Sequence, residues 1–190
     1  MTVVAEGGVE TFAISDVSAR AGVVAATFYN HFHNRADFIA ALARELASEV
    51  YLGAAAIRAL EGDPAGRVAL AVMGIVRRAE TDRTFGAAFV AFATGATDLT
   101  DRMRELTRET LVHGVSSGRF DIDVEHGALD DAVDAVFGAT LEAVRAQMLG
   151  RATDQSAMTI AVLLLKLLGL ATDEAARVVT AARRVGTAVR

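Results

Sequence analysis

The chain has no cysteine, no tryptophan and a single proline, Pro64, in 190 residues. Without cysteine it can build neither a disulfide nor a thiolate metal site, which suits a reducing compartment, and a cytoplasmic protein is expected. With one proline and alanine runs such as Ala40-Ala41 and Ala54-Ala55-Ala56, little interrupts helix formation. Long apolar runs are missing too. The longest, Ile160 to Ala171, is broken by Lys166 and is too short to cross a bilayer, so no membrane partner is expected. Met1 to Glu10 has neither the basic start nor the apolar stretch of a secretory signal. Basic charge is also scarce: 19 Lys and Arg against 24 Asp and Glu leave a net charge of −5. Within residues 1–50 three basic side chains (Arg20, Arg35, Arg44) face six acidic ones, a local balance of −3. Phosphate binding is driven by Lys and Arg that release counterions, so charge alone argues against a nucleic-acid partner.

Catalytic signatures are absent as well. There is no His-Glu-x-x-His, no Gly-x-Ser-x-Gly, no phosphate-cradling glycine loop and no cysteine nucleophile, so the chain is not expected to be an enzyme. His31 and His33 are two apart and cannot share a helix face, while Asp130, Asp131 and Asp134 read as a solvated helix start. No metal or cofactor is expected.

What is present is helix. Hydrophobic residues make up 53% of the chain, enough for a sizeable core in one or two domains, and no strand alternation competes with helical spacing. Turn signals at Gly7-Gly8, Gly22, Gly62-Asp63-Pro64, Gly95, Gly118, Gly150 and Gly169 cut it into pieces. The spacing predicts short helices over Ile14 to Ala21 and Val24 to Phe32, the second with Val24, Phe28 and Phe32 on one stripe. Two short helices joined by a tight turn containing Gly make a helix-turn-helix. A longer helix then runs from Asn34 as N-cap to Leu60, with Phe38, Leu42, Leu46 and Val50 along one face. Asp63-Pro64 reads as N-cap and first-turn proline of the next. Further helices are expected over Arg83 to Thr94, Asp98 to Ser117, Glu125 to Leu149, Gln155 to Leu168 and Asp173 to Val185. Ala13 and Val24 stand where Ser or Thr would cap the two short helices.

The run Ile14-Ser15-Asp16-Val17-Ser18-Ala19-Arg20-Ala21-Gly22-Val23-Val24-Ala25-Ala26-Thr27-Phe28-Tyr29-Asn30-His31-Phe32 resembles the helix-turn-helix of the TetR family of regulators. Asn34-Arg35-Ala36-Asp37-Phe38 is similar to the start of that family's connecting helix, and Leu167 to Leu170 to its Leu-Leu-Gly-Leu ending. The resemblance implies an all-α protein with two domains. Residues 1–48 would form a helix-turn-helix DNA-binding domain, and residues 49–190 a larger helical domain for ligand binding and dimerisation. The family has a basic helix ahead of the helix-turn-helix, and Met1 to Glu6 leave room for only a turn or two before Gly7-Gly8, so this helix is expected to be truncated. By resemblance Thr27, Tyr29 and Arg35 would hold phosphates of double-stranded operator DNA. His31 would touch backbone or base, and Ala25 and Ala26 would approach the groove floor. Alanine methyls carry no hydrogen-bond code, so sequence discrimination is either modest or resides in Asn30 and His31.

In the larger domain Met73, Phe85, Phe89, Phe92, Met103 and Phe137 lie on successive helices, are adaptable fillers, and are expected to line a site for a small apolar ligand. His113 and Thr94 are candidates for its polar groups. The helix over residues 158–168 is apolar around nearly its whole circumference, more than one core can use, which implies a partner surface. Val133, Leu141, Val144, Met148, Val162 and Leu165 are its candidates, and the family's two-fold four-helix bundle implies a homodimer. The function that follows is a ligand-released repressor; the alternative is a helical ligand-binding dimer of the same fold that has lost DNA binding.

Overall fold

A computed structural model describes residues 13–93, 98–122 and 127–188, all of them helical or in the turns between helices. The expected truncated first helix, the turns at Gly7-Gly8 and Gly95, Thr94 and the start of a helix at Glu125 lie outside the described residues. The first two described helices are α1 (Ile14–Arg20) and α2 (Ala25–His31). Both begin without a side-chain cap, at Ala13 and Val24, as the residue types dictate. Between them Gly22 adopts φ +67°, a left-handed conformation that costs glycine little, and Val23 N–H returns to the Ser18 carbonyl at 3.0 Å.

Val24 does not join the predicted core stripe. As the N-cap it has extended backbone (φ −81°, ψ 153°), so helical spacing does not apply to it, and its side chain is 70% exposed. The stripe starts at Phe28, whose ring packs 5.3 Å from both Phe32 and Phe38. Phe38 belongs to α3 (Arg35–Leu60), which Asn34 caps by accepting from Asp37 N–H at 2.9 Å. Three phenylalanines in edge and tilted contact thus fix α2 on the first turn of α3.

The remaining helices surround α4 (Pro64–Thr81). It opens on Pro64 with Asp63 accepting from Ala65 N–H at 3.0 Å, the arrangement the Asp-Pro pair predicts. Around it lie α3, α5 (Arg83–Ala93), α6 (Asp98–Ser116), α7 (Ala128–Met148), α8 (Ser156–Leu167) and α9 (Thr172–Ala188). Small residues such as Ala65, Gly66, Ala69 and Ala79 let so many neighbours approach one helix. Its N-terminal half feeds an apolar cluster shared with Leu111, Phe120, Leu164, Leu165 and Val179. Its C-terminal half, through Val76 and Ala79, feeds a second cluster with Phe85, Phe89, Phe92, Leu99 and Phe137 that also contains Leu46, Phe38 and Phe28. The helix-turn-helix is therefore continuous in packing with the body. Two further devices close the fold. A Cβ at Gly114 would come within 2.0 Å of the Phe120 ring, so only glycine lets that turn fold back on α6. Arg119 donates to both Asp63 oxygens, at 2.8 and 3.0 Å, and also pairs with Glu174, joining the α6 turn to the starts of α4 and α9.

Candidate functional site

Two regions bring together the residues that carry the chemistry. On α2, Phe28 points inward and, among its neighbours, Ala26, Asn30 and His31 are exposed and Thr27 half-buried. Tyr29 rests edge-on against Phe28, with ring centroids 5.5 Å apart, yet is 56% exposed. An aromatic body anchored at its base with a free phenol tip is a rigid hydrogen-bonding post on the outer face. Arg35, half-buried, follows in the first turn of α3, and Ala25 begins α2. Nearby, the Asp37 carboxylate accepts from His33 N–H at 3.2 Å, and this bond first, with the His33 ring, holds its pKa below the ordinary range. Helix α2 itself carries neither Lys nor Arg.

The second region is a cavity of about 440 Å³ in the body. The C-terminal half of α3, from Glu49 to Leu60, forms one wall; α4, α6 and α7 form the others, with Phe85 of α5 and Val185 and Gly186 of α9 at the edges. Gly53 and Gly74 keep it open, since a Cβ built at either meets no atom within 4 Å. Its interior side chains are mostly aliphatic, among them Val50, Ile57, Val68, Val72, Ile75 and Leu106. The most deeply buried polar side chain in the wall is Thr140, 2% exposed, whose hydroxyl donates to the Val136 carbonyl at 2.7 Å. Thr110 donates to the Leu106 carbonyl at 3.0 Å in the same manner. Charge is confined to more exposed positions: Arg78 pairs with Glu49 at 2.9 Å and Arg58 with Glu109 at 3.1 Å. Arg67 donates through Nε to the Glu61 carbonyl at 2.7 Å.

Of the side chains expected around a ligand, the structure brings Phe85, Met103 and Phe137 to this cavity and leaves four elsewhere. Phe89 and Phe92 are consumed by the core that holds α5 in place, and Met73 packs against the cluster at the other end of α4. His113 is exposed on α6, so it stands in solvent rather than in the cavity. The contribution of α3 went unread, although the Gly53-Ala54-Ala55-Ala56 run, too small to fill a core, was a signal. Thr140 was legible as well: it lies one helical turn beyond Val136 and Phe137, on their face.

The structure also redistributes the candidate dimer residues. Val133, Val144 and Leu165 turn into the subunit's own core and have no surface left to offer a partner. On α8 the core takes Ala161, Leu164, Leu165 and, just past its end, Leu168, the i, i+3, i+4, i+7 stripe, which leaves the surplus apolar surface elsewhere. That surplus is Leu163 and Leu167, 57% and 56% exposed, beside half-buried Val162, with half-buried Leu141 and Met148 on α7. The aspartates at the start of α7 are not simply solvated: Asp130 pairs with Arg108 and Asp134 with Arg104, tying α7 to α6. Among the described residues no cluster of His, Cys, Asp and Glu has the makings of a metal site, and no helix is long and apolar enough to cross a membrane.

Residues 63–182 match the model of the tetracyclin repressor-like C-terminal domain, and residues 1–42 that of the bacterial regulatory proteins of the tetR family. No curated protein matches the chain. Among solved structures, RolR in complex with resorcinol superposes with a TM-score of 0.70 at 27% identity, covering 94% of this chain and 87% of RolR. RolR without ligand gives a TM-score of 0.68 at 24% identity, covering 94% and 91%. The transcriptional regulator FadR from Bacillus subtilis, in complex with stearoyl-CoA, gives 0.70 at 17% identity over 87% and 91%, a likeness of fold alone.

Proposed function

Starting from the membership of this chain in the TetR family of bacterial regulators, we propose that it is a cytoplasmic repressor that binds double-stranded operator DNA as a homodimer and is released by a small apolar ligand in the cavity. One observation carries the reading. Helix α3 holds the helix-turn-helix at one end, through Phe38, and forms a wall of the cavity at the other. A ligand that displaces the Glu49 to Leu60 wall must therefore move α2, and a ligand with different affinities for the two positions shifts operator affinity by that difference. The division into residues 1–48 and 49–190 belongs to the same proposal; Glu49 is the first residue of α3 to line the cavity. In it Thr27, Tyr29 and Arg35 grip phosphates, Asn30 and His31 face base edges or backbone, and Ala25 and Ala26 lie near the groove floor. The dimer joins α7 and α8 to their copies through Leu141, Met148 and Val162 together with Leu163 and Leu167. That RolR is seen with resorcinol and FadR with stearoyl-CoA supports a ligand-responsive role for a body of this shape.

Fluorescence anisotropy with a duplex from upstream of the chain's own gene, at two salt concentrations, tests the DNA half. Tyr29→Ala is expected to weaken binding in every ligand state, and equal affinity for variant and parent overturns the assignment. The second reading, a ligand-binding dimer without DNA affinity, is favoured by the −3 balance of residues 1–50 and the absence of Lys and Arg from α2. Binding to the upstream duplex no tighter than to a scrambled one decides for it.

A further inference from the structure

The distribution of polar atoms over the cavity restricts what it accepts. Its depths are apolar apart from the hydroxyls of Thr107, Thr110 and Thr140, and beside the last two the carbonyl oxygens of Leu106 and Val136 can only accept hydrogen bonds. Thr140 and Thr110 must therefore spend their single protons on those carbonyls. Each hydroxyl oxygen keeps lone pairs, so what it offers a guest is an acceptor. At Thr140, 2% exposed, that acceptor is removed from water and gains most from a partner brought by the guest.

Charge is handled in the opposite way. Glu49 and Arg78, both exposed, and half-buried Arg58 are bound to one another or to Glu109 and Asp82, and half-buried Arg67 donates through Nε to the Glu61 carbonyl. A carboxylate or phosphate driven in beside Thr140 would lose its hydration and find there only an acceptor, a cost no neutral guest incurs. Aromatic side chains are few in the wall, Phe85 and Phe137, whereas Val, Ile, Leu and Ala make up half of it. We infer that the cavity selects an uncharged, largely aliphatic molecule carrying a hydroxyl donor, in its simplest form a medium- or long-chain alcohol, and rejects the corresponding fatty-acid anion. This rests on the reading of the cavity as the effector site.

Isothermal titration of the full chain with 1-decanol and with decanoate, matched in length and differing in charge, tests it. Decanol is expected to bind at least tenfold more tightly than decanoate. Thr140→Val, which keeps shape and removes the acceptor, is expected to weaken decanol about five- to tenfold and leave decanoate unchanged. Decanoate binding as well as decanol, with its affinity lost in Arg67→Gln, overturns the selection for neutral guests while leaving the cavity as the site. Decanol binding undiminished in Gly74→Leu, which puts a side chain into the wall of the cavity, overturns the reading of the cavity itself. No measurable binding of decanol overturns the inferred ligand class.

Discussion

Gly74 offers a perturbation whose two effects run in opposite directions. It lies within α4, lines the cavity, and a Cβ there meets no atom within 4 Å. Replacing a helix-interior glycine by leucine is worth about 0.7 kcal/mol in helix propensity. Partial burial of the new side chain in the cavity adds on the order of 1 kcal/mol. In a chain of 190 residues each kcal/mol raises Tm by about 2–4 °C, so Gly74→Leu is expected to melt roughly 3–7 °C higher than the parent. The same side chain takes part of the volume a ligand needs. For the parent, decanol at a hundred times its Kd stabilises by about 2.7 kcal/mol, a further rise of roughly 5–11 °C, whereas the variant at the same decanol concentration is expected to show a smaller one. With no tryptophan in the chain, circular dichroism at 222 nm follows both melts. A variant that melts below the parent would mean that the space beside Gly74 is not free, and the account of the cavity would fail.

Other consequences are as direct. Leu163→Arg and Leu167→Arg place charges on the outward face of α8 and are expected to convert the proposed dimer to monomer in sedimentation velocity without lowering the helical signal. Gly114→Ala drives a methyl into the Phe120 ring and is expected to cost about 1–3 kcal/mol by urea unfolding. At Asp63, burial raises the carboxyl's pKa, but the hydrogen bonds from Arg119 and Ala65 N–H, with the charges of Arg119 and Arg67, outweigh it and hold it below 3.8. A carboxyl with a lowered folded pKa stabilises above its unfolded value and loses that contribution as pH falls through the folded one. Asp63→Asn keeps the helix cap and removes the charge. Its deficit in stability, about 1 kcal/mol for a half-buried pair, is expected to be constant above about pH 4 and to narrow below it.

How far the sequence could be read follows from the range of the forces involved. Helix starts at Asn34 and Asp63, the turn at Gly22 and the helix ends predicted within one or two residues depend on atoms a few positions apart. The outward placement of Tyr29, Asn30 and His31 was legible for the same reason, because Phe28 and Phe32 fix one face of a short helix and leave the other. Phe89 and Phe92 show the limit. Their residue types are the same whether they fill a core or line a cavity, and only the seating of α5 against its neighbours assigns them to the core. His113 likewise reads as a possible polar contact until the rotation of α6 places it in water.

Composition and local pattern alone determined that the chain is helical, where most of its described helices begin and stop, and that a helix-turn-helix stands near its start, whereas the last helix runs to Ala188, beyond the expected Val185. Tertiary structure decided which stripe of α8 serves the subunit's own core, and that Gly53, Gly74 and Thr140, from three different helices, enclose one space. A helix's apolar residues demand burial but do not say against what. That choice is made between segments far apart in the chain, by the shapes that remain when all nine described helices pack at once.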